Sequence, residues 1–299
     1  MEKAVALRPS ARFRLRTVRQ LKRRERALKL ALHLFLVLTS LPIVVGYAWL
    51  FLSSFSDTLI YGLFPRRLSL VNWRFLWEPP SPYYPSLWRS FGNTALLGVG
   101  TVIAVVSIAT PAAYVLSRMK FRARMSLLAG TLILHSFPGI TLLIALYYVL
   151  RVLGLLNQVA GVFLIKAGLM MPFGIWVMKG FFDSIPWDVE RAALVDGATR
   201  FQAWYKVMLP QVRPGIGAIS IFAFISGWSE YIYVITFIHD KQSWTLASYL
   251  NSIVGDYVFL DYGLLSATAL FYMFPVLLFF LFAQRYLLQV RIGAMKGGA

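Results

Sequence analysis

The chain has no cysteine, only three histidines, and 12 acidic residues in 299 positions. Without cysteine there is no disulfide, no thiol nucleophile and no cysteine metal site. His33, His135 and His239 are scattered without ligand spacing, and the first two lie inside apolar runs, so packing explains them better than a metal does. No Gly-x-x-x-x-Gly-Lys-Ser/Thr segment occurs, so no phosphate cradle is visible and nucleotide chemistry is not expected here. Charge is thin throughout: 14% of residues are charged, against roughly 25% in soluble domains. What fills the space is apolar. Hydrophobic residues make up 59% of the chain and mean hydropathy is +0.66, in runs too long for a globular core. Their solvent is lipid.

A membrane span needs about 20 mostly apolar residues, because each backbone N–H and C=O must be paired within the segment. Six stretches qualify: 28–52, 89–117, 126–150, 158–180, 214–238 and 262–287. The third carries a Phe137-Pro138-Gly139 break, and the fourth contains Lys166 and Pro172. The first run is longer than a signal-peptide core and no small-residue cleavage pattern follows it, so it reads as a retained helix. The fold class expected is an all-α integral membrane protein of about six transmembrane helices.

Net charge is +18, with 30 Lys+Arg. Eleven of these lie in the first 29 residues, where Phe13 is the only aromatic. Nucleic acid is not the expected partner, since no stacking aromatics accompany the charge; a segment facing solvent or anionic lipid fits. With the N-terminus inside, segments 1–29, 118–125, 179–213 and 285–299 hold 23 of the basic residues. That bias satisfies the positive-inside rule and makes both termini cytoplasmic. The expected organisation is a basic segment 1–29, a transmembrane domain 30–288 with a cytoplasmic loop 181–213, and a tail 289–299. On the outer side, 53–88 carries Trp73, Trp77, Tyr83, Tyr84 and Trp88 among prolines, either as an interfacial aromatic belt or as a docking surface.

The 181–213 loop is long yet built from helix formers, a combination that usually marks function. Asp183 or Ser184 is expected to cap a helix with Pro186 in its first turn, where Asp188 and Glu190 suit the positive end. Gly197 is placed to end that helix in a left-handed conformation. Val189, Ala192 and Ala193 recur at helical spacing and let another backbone approach closely. Phe201, Trp204 and Met208 mark a second short helix that Pro210 stops. A cytoplasmic docking element and an interfacial helix lying on lipid both satisfy this pattern.

The loop resembles the coupling motif of binding-protein-dependent ABC transporter permeases, often called the EAA loop: Glu-Ala-Ala, three residues, Gly, then an apolar-Leu-Pro. Ala192-Ala193, Asp196-Gly197-Ala198 and Leu209-Pro210 match, while the Glu of the pattern falls on Arg191, with Glu190 just before it. Either Glu190 or Arg191 is therefore expected to make the polar contact with the ATPase. Further matches are Asn93-Thr94-Ala95-Leu96-Leu97, Ala112-Ala113-Tyr114-Val115-Leu116-Ser117-Arg118, Gly180-Phe181-Phe182-Asp183-Ser184-Ile185-Pro186 and Gly227-Trp228-Ser229-Glu230-Tyr231. These are similar to the carbohydrate-uptake, MalG-like class. The resemblance implies a type I ABC importer permease fold in a prokaryotic inner membrane. It also implies a second homologous permease, two ATPase subunits that bind the ATP and magnesium, and an extracytoplasmic solute-binding protein. The cargo implied is a sugar or oligosaccharide of maltose or trehalose type, with glycerol phosphate as the alternative solute; no cofactor is expected in this chain.

Polar residues inside spans are the default functional candidates. Glu230 stands in the fifth span between Trp228 and Tyr231, where aromatic rings stack on sugar CH faces and a carboxylate accepts hydroxyl protons. Equally, it serves as a structural partner of Lys166 or of a second permease. Asn93, Tyr114 and Phe137 are further pathway candidates. A stand-alone secondary transporter would need more in-membrane carboxylates and repeated halves, and a membrane enzyme would need a catalytic cluster that the spans lack.

Overall fold

The structure, a computed structural model, describes residues 9–60, 64–80, 84–254 and 261–296. Almost all of it is helix. The elements in order are α1 (Pro9–Ser54), a hairpin of β1 (Leu59–Ile60) and β2 (Phe64–Pro65), and a 3₁₀ turn at Val71–Leu76. α2 (Leu87–Arg118), α3 (Arg124–Ser136), α4 (Leu143–Val152), α5 (Val159–Asp183) and α6 (Trp187–Val195) follow. The chain ends with α7 (Arg200–Gln202), α8 (Leu209–Gln211), α9 (Arg213–Trp228), α10 (Ile232–Phe237), α11 (Leu246–Val254) and α12 (Tyr262–Lys296).

Four helical segments are long and apolar enough to cross a membrane: Arg24–Ser54, Leu87–Arg118, Val159–Asp183 and Tyr262–Phe282. Two bent pairs bring the number to six. The third expected span is not one straight helix: α3 and the segment Gly139–Val152 meet at 93°. Proline explains the site of the turn, since Pro138 donates no hydrogen bond and Phe137 before it is extended at φ −78, ψ 124. The fifth expected span also differs. α9 is bent by 74° from the helical stretch Arg200–Gln211, and its helix stops at Trp228 before α10 resumes at Ile232. At the far end, α12 runs unbroken through the expected tail boundary at 289 as far as Lys296.

α2 is the central post, packed against both α5 and α9. Many of its inward positions are small or β-branched, among them Thr94, Gly98, Thr101, Val105, Ala109 and Ala113. Small residues let helices approach where lipid supplies no hydrophobic drive between them. A close approach to α2 is at Gly227 on α9: a β-carbon there would sit 2.4 Å from the Leu97 carbonyl oxygen and 2.9 Å from Thr101 Oγ1. Because the obstacle is backbone, it has little freedom to yield. Gly227→Ala is expected to cost about 1–3 kcal/mol as an overpacking change. It would appear as a lower unfolding midpoint of the detergent-purified chain; an unchanged midpoint would show that α9 slides without penalty.

α1 is different. Its large apolar residues from Leu28 to Val45 all face outward, and its buried residues, Ser53 and Ser54, lie in its last turn. There the Asn72 amide donates to the carbonyls of Ser53, Ser54 and Ser56, pairing acceptors that a helix end leaves open. The aromatics of the 53–88 segment divide. Trp73 stacks on Phe55 and packs with the α11–α12 core, whereas Trp77 and Trp88 are 66% and 57% exposed. Tyr83 lies outside the described residues.

Candidate functional site

The first site is the turn that follows α5. α6 begins after Pro186, at φ −54, ψ 140, with no side-chain cap. This corrects the expected capping. Asp183 closes α5 instead, taking hydrogen bonds from Ser117 Oγ at 2.6 Å and from Lys179, while Ser184 Oγ turns back to the Phe181 carbonyl. Extended backbone at Pro186, with acids at 188 and 190, is enough to start the helix.

Glu190 does not face solvent. It is 3% exposed, and Tyr114 Oη donates to its Oε1 at 2.6 Å. Arg118 Nε lies 3.4 Å from its Oε2, an ion pair without an aligned hydrogen bond. The same guanidinium donates from Nη2 to the carbonyls of Phe182 at 2.8 Å and Ile185 at 2.6 Å, and lies 4.7 Å from the Trp187 ring centroid. Arg118 and Glu190 side chains are 1% and 4% exposed. One buried cation thus ties the end of α2 to the end of α5 and to the first turn of α6. Tyr114 and Arg118 are four residues apart, so they share a face of α2; that spacing was the available signal for Arg118, which the sequence alone presented only as a motif residue.

The far end of α6 is equally fixed. Gly197 has φ +88. The Ala198 N–H bonds the Ala193 carbonyl at 3.0 Å and the Gly197 N–H bonds the Leu194 carbonyl at 3.2 Å, the paired bonds of a Schellman C-cap. Thr199 then caps α7 reciprocally with Gln202 in a capping box. Between these ends the faces are reassigned. Val189 and Ala193 turn half-buried toward the bundle, leaving Asp188, Arg191, Ala192, Val195 and Asp196 exposed. Val195 is 86% exposed. Among the described residues Arg191 pairs with Asp188, at 3.8 Å with both side chains exposed. In the second helical piece Trp204 and Met208 pack inward while Phe201 is 70% exposed. Leu209 packs on the same core. Pro210 does not stop the helix; it sits in the first turn of α8, and the break comes at Val212.

The second site is the break between α9 and α10. Glu230, 6% exposed, pairs with Lys166 of α5 at 2.7 Å. Its Oε1 also accepts the Tyr233 N–H at 2.8 Å, which caps α10. Phe137, Lys166, Glu230 and Tyr233 line a cavity of about 400 Å³. The other pathway candidates are placed elsewhere. Trp228 is 2% exposed, packs between Phe91 and Phe224, and donates to the Tyr272 carbonyl. Tyr231 Oη donates to Asn251 Oδ1. Asn93 donates to the carbonyls of Gln242 and Trp244 at the end of α2 opposite α6. Tyr114 is occupied by Glu190. Among the described residues no group of three or more His, Asp or Glu gathers as a metal site would need.

The chain is thus a multi-span helical bundle whose buried Arg118–Glu190 pair ties a short, largely exposed helix to its rim. The family model for the binding-protein-dependent transport system inner membrane component matches residues 106–291, and the chain belongs to that family. It is 33% identical to the diacetylchitobiose uptake system permease protein NgcG of Streptomyces coelicolor, over 85% of this chain and 84% of that one. It is 32% identical to the maltose/maltodextrin transport system permease protein MalG of Salmonella typhimurium, over 79% and 84%. The fold matches, at a TM-score of 0.75 and 23% identity over 89% of this chain and 98% of that one, a crystal structure of a bacterial ABC transporter involved in alginate import. The chain is accordingly a multi-pass inner-membrane permease of an ABC importer.

Proposed function

We propose that this permease carries a neutral sugar or oligosaccharide and is driven through α6 by a separate ATPase. It works as one of two related permeases on two ATPase copies, with both termini cytoplasmic and a binding protein delivering cargo on the outer side. ATP and magnesium belong to the ATPases, and no catalytic step falls to this chain. The observation that carries the reading is the clamped knuckle: α6 is rooted by Glu190 and Arg118, closed by Gly197, and presents Asp188, Arg191, Ala192 and Val195 outward. Because Glu190 is spent inside the clamp, the polar contact with the ATPase falls to Arg191. Sugar cargo is supported by the names of the relatives, which include a diacetylchitobiose, a trehalose and a maltose permease.

Reconstitution tests this. Proteoliposomes holding the chain, its second permease and its ATPases, supplied with the cognate binding protein, are expected to take up radiolabelled maltose, trehalose or diacetylchitobiose only when ATP is enclosed. Uptake by this chain alone, without nucleotide, would overturn the reading.

A further inference from the structure

Two helix breaks meet at one place. The Phe137-Pro138-Gly139 turn, where the third span bends by 93°, lies against the Ser229-Glu230-Tyr231 gap between α9 and α10. The approach is close enough that a β-carbon on Gly139 would lie 2.3 Å from the Tyr233 hydroxyl oxygen. Non-helical backbone at membrane depth is tolerated where it lines a cavity or is buried in protein, and discontinuous helices are where transporters place their cargo sites. The cavity of about 400 Å³ opens here, within the range of small-molecule sites.

Its chemistry is specific. The wall is apolar and aromatic, including Leu134, Phe137, Ile140 and Leu169, and the polar part is the Lys166–Glu230 pair with His135. Lys166 offers three N–H donors. One meets Glu230 at 2.7 Å, and its ammonium also lies 5.9 Å from the Tyr233 ring centroid. Glu230 has one oxygen on Tyr233 N–H and one on Lys166. Each carboxylate oxygen has acceptor capacity left, and the ammonium keeps donors to spare. A helix cap alone does not need a lysine brought from α5, and a structural ion pair does not need a cavity beside it. The pair is neutral as a unit, so it favours a hydroxyl-bearing neutral ligand over an anion or a cation.

We propose that Lys166 and Glu230 form a sugar-hydroxyl subsite in this subunit's own wall of the pathway, with the Phe137 ring stacking on the pyranose face. Glu230 accepts from one ring hydroxyl, Lys166 donates to its neighbour, and the pair stays intact so that no charge is left unpaired. The inference rests on the importer reading above and adds that this chain contacts cargo directly.

The test uses the complete importer in proteoliposomes with its binding protein and radiolabelled maltose, trehalose and diacetylchitobiose. The double variant Lys166→Met, Glu230→Gln removes both charges together, and the Gln side chain can still cap α10. Its expected signature is an uptake rate at least about tenfold lower, as for lost hydrogen bonds to charged groups. ATP hydrolysis stimulated by the loaded binding protein should remain within about twofold, since neither residue belongs to the α6 clamp. Phe137→Leu should lower uptake in the same selective way, and Phe137→Tyr should restore it. If the double variant transports and hydrolyses like the wild type, or loses both activities together, the pair is structural and the subsite is refuted. Wild-type vesicles that import none of the three sugars with ATP present would instead sink the cargo reading on which the subsite depends.

Discussion

Replacing Arg118 with methionine is expected to silence cargo-stimulated ATP hydrolysis while leaving the protein inserted and assembled enough to purify. The variant keeps most of the side-chain volume but withdraws the cation paired with Glu190 inside the clamp. Glu190 would then be a carboxylate with 4% exposure held by a single hydrogen bond from Tyr114. Breaking a buried pair by removing one partner costs about 3–5 kcal/mol. Because Glu190 belongs to a helix of nine residues at the rim, that energy loosens α6 and the turn that joins it to α5. The carbonyls of Phe182 and Ile185 lose their donor in the same step. Glu190→Met alone should also be severe, since it strands the guanidinium. Combining the two should be milder than their sum, the non-additivity of residues sharing one contact. The measurement is ATPase rate with and without loaded binding protein. An Arg118→Met importer that is stimulated normally would show that α6 keeps its place without the clamp.

The second large effect is at Gly197, and it separates backbone from bulk. No atom lies within 4 Å of where a β-carbon would be, so steric space is open. The difficulty is φ +88, a region that costs an ordinary L-residue about 1–2 kcal/mol. Gly197→Leu should therefore loosen the Schellman closure and let Ala198 and the following helix reorient. The number of sugars carried per ATP should fall about tenfold, the ratio corresponding to that energy. Gly197→Asn is the control, because asparagine tolerates left-handed backbone; it should stay within about twofold of wild type. Equal behaviour of Leu and Asn would mean that the turn's conformation is not what transmits the stroke.

These two elements differ in how far the sequence disclosed them. The glycine stop was legible because left-handed backbone imposes a residue type, and Gly197 sits just past a run of helix formers. The ends of the second and fourth spans were legible for the same kind of reason, since apolar length is a local property. The clamp was only half visible. Tyr114 stood among pathway candidates, and its actual partner lies 76 residues on, a pairing set by how α2 meets α6 and not by any period. Which of Glu190 and Arg191 is buried and which exposed could not be read until the rotation of α6 about its axis was known. That rotation follows from Val189, Glu190, Ala193 and Leu194 turning inward, an arrangement in which a charged residue occupies a core position. Binary patterning misassigns such a residue by construction, and it placed Ala193 on the outer face. The Pro138 break was seen in sequence, but its angle was not. The end of α9 was missed because Ser229, Glu230 and Tyr231 contain neither proline nor glycine. Across the gap the Glu230 carboxylate accepts the Tyr233 N–H, an open donor in the first turn of the next helix.

α2 holds both rims of the bundle. Asn93 grips the Gln242–Trp244 strand of chain at one extremity, and Tyr114 and Arg118 grip α6 at the other. Fastened near both ends, α2 cannot tilt at one contact without loading the other.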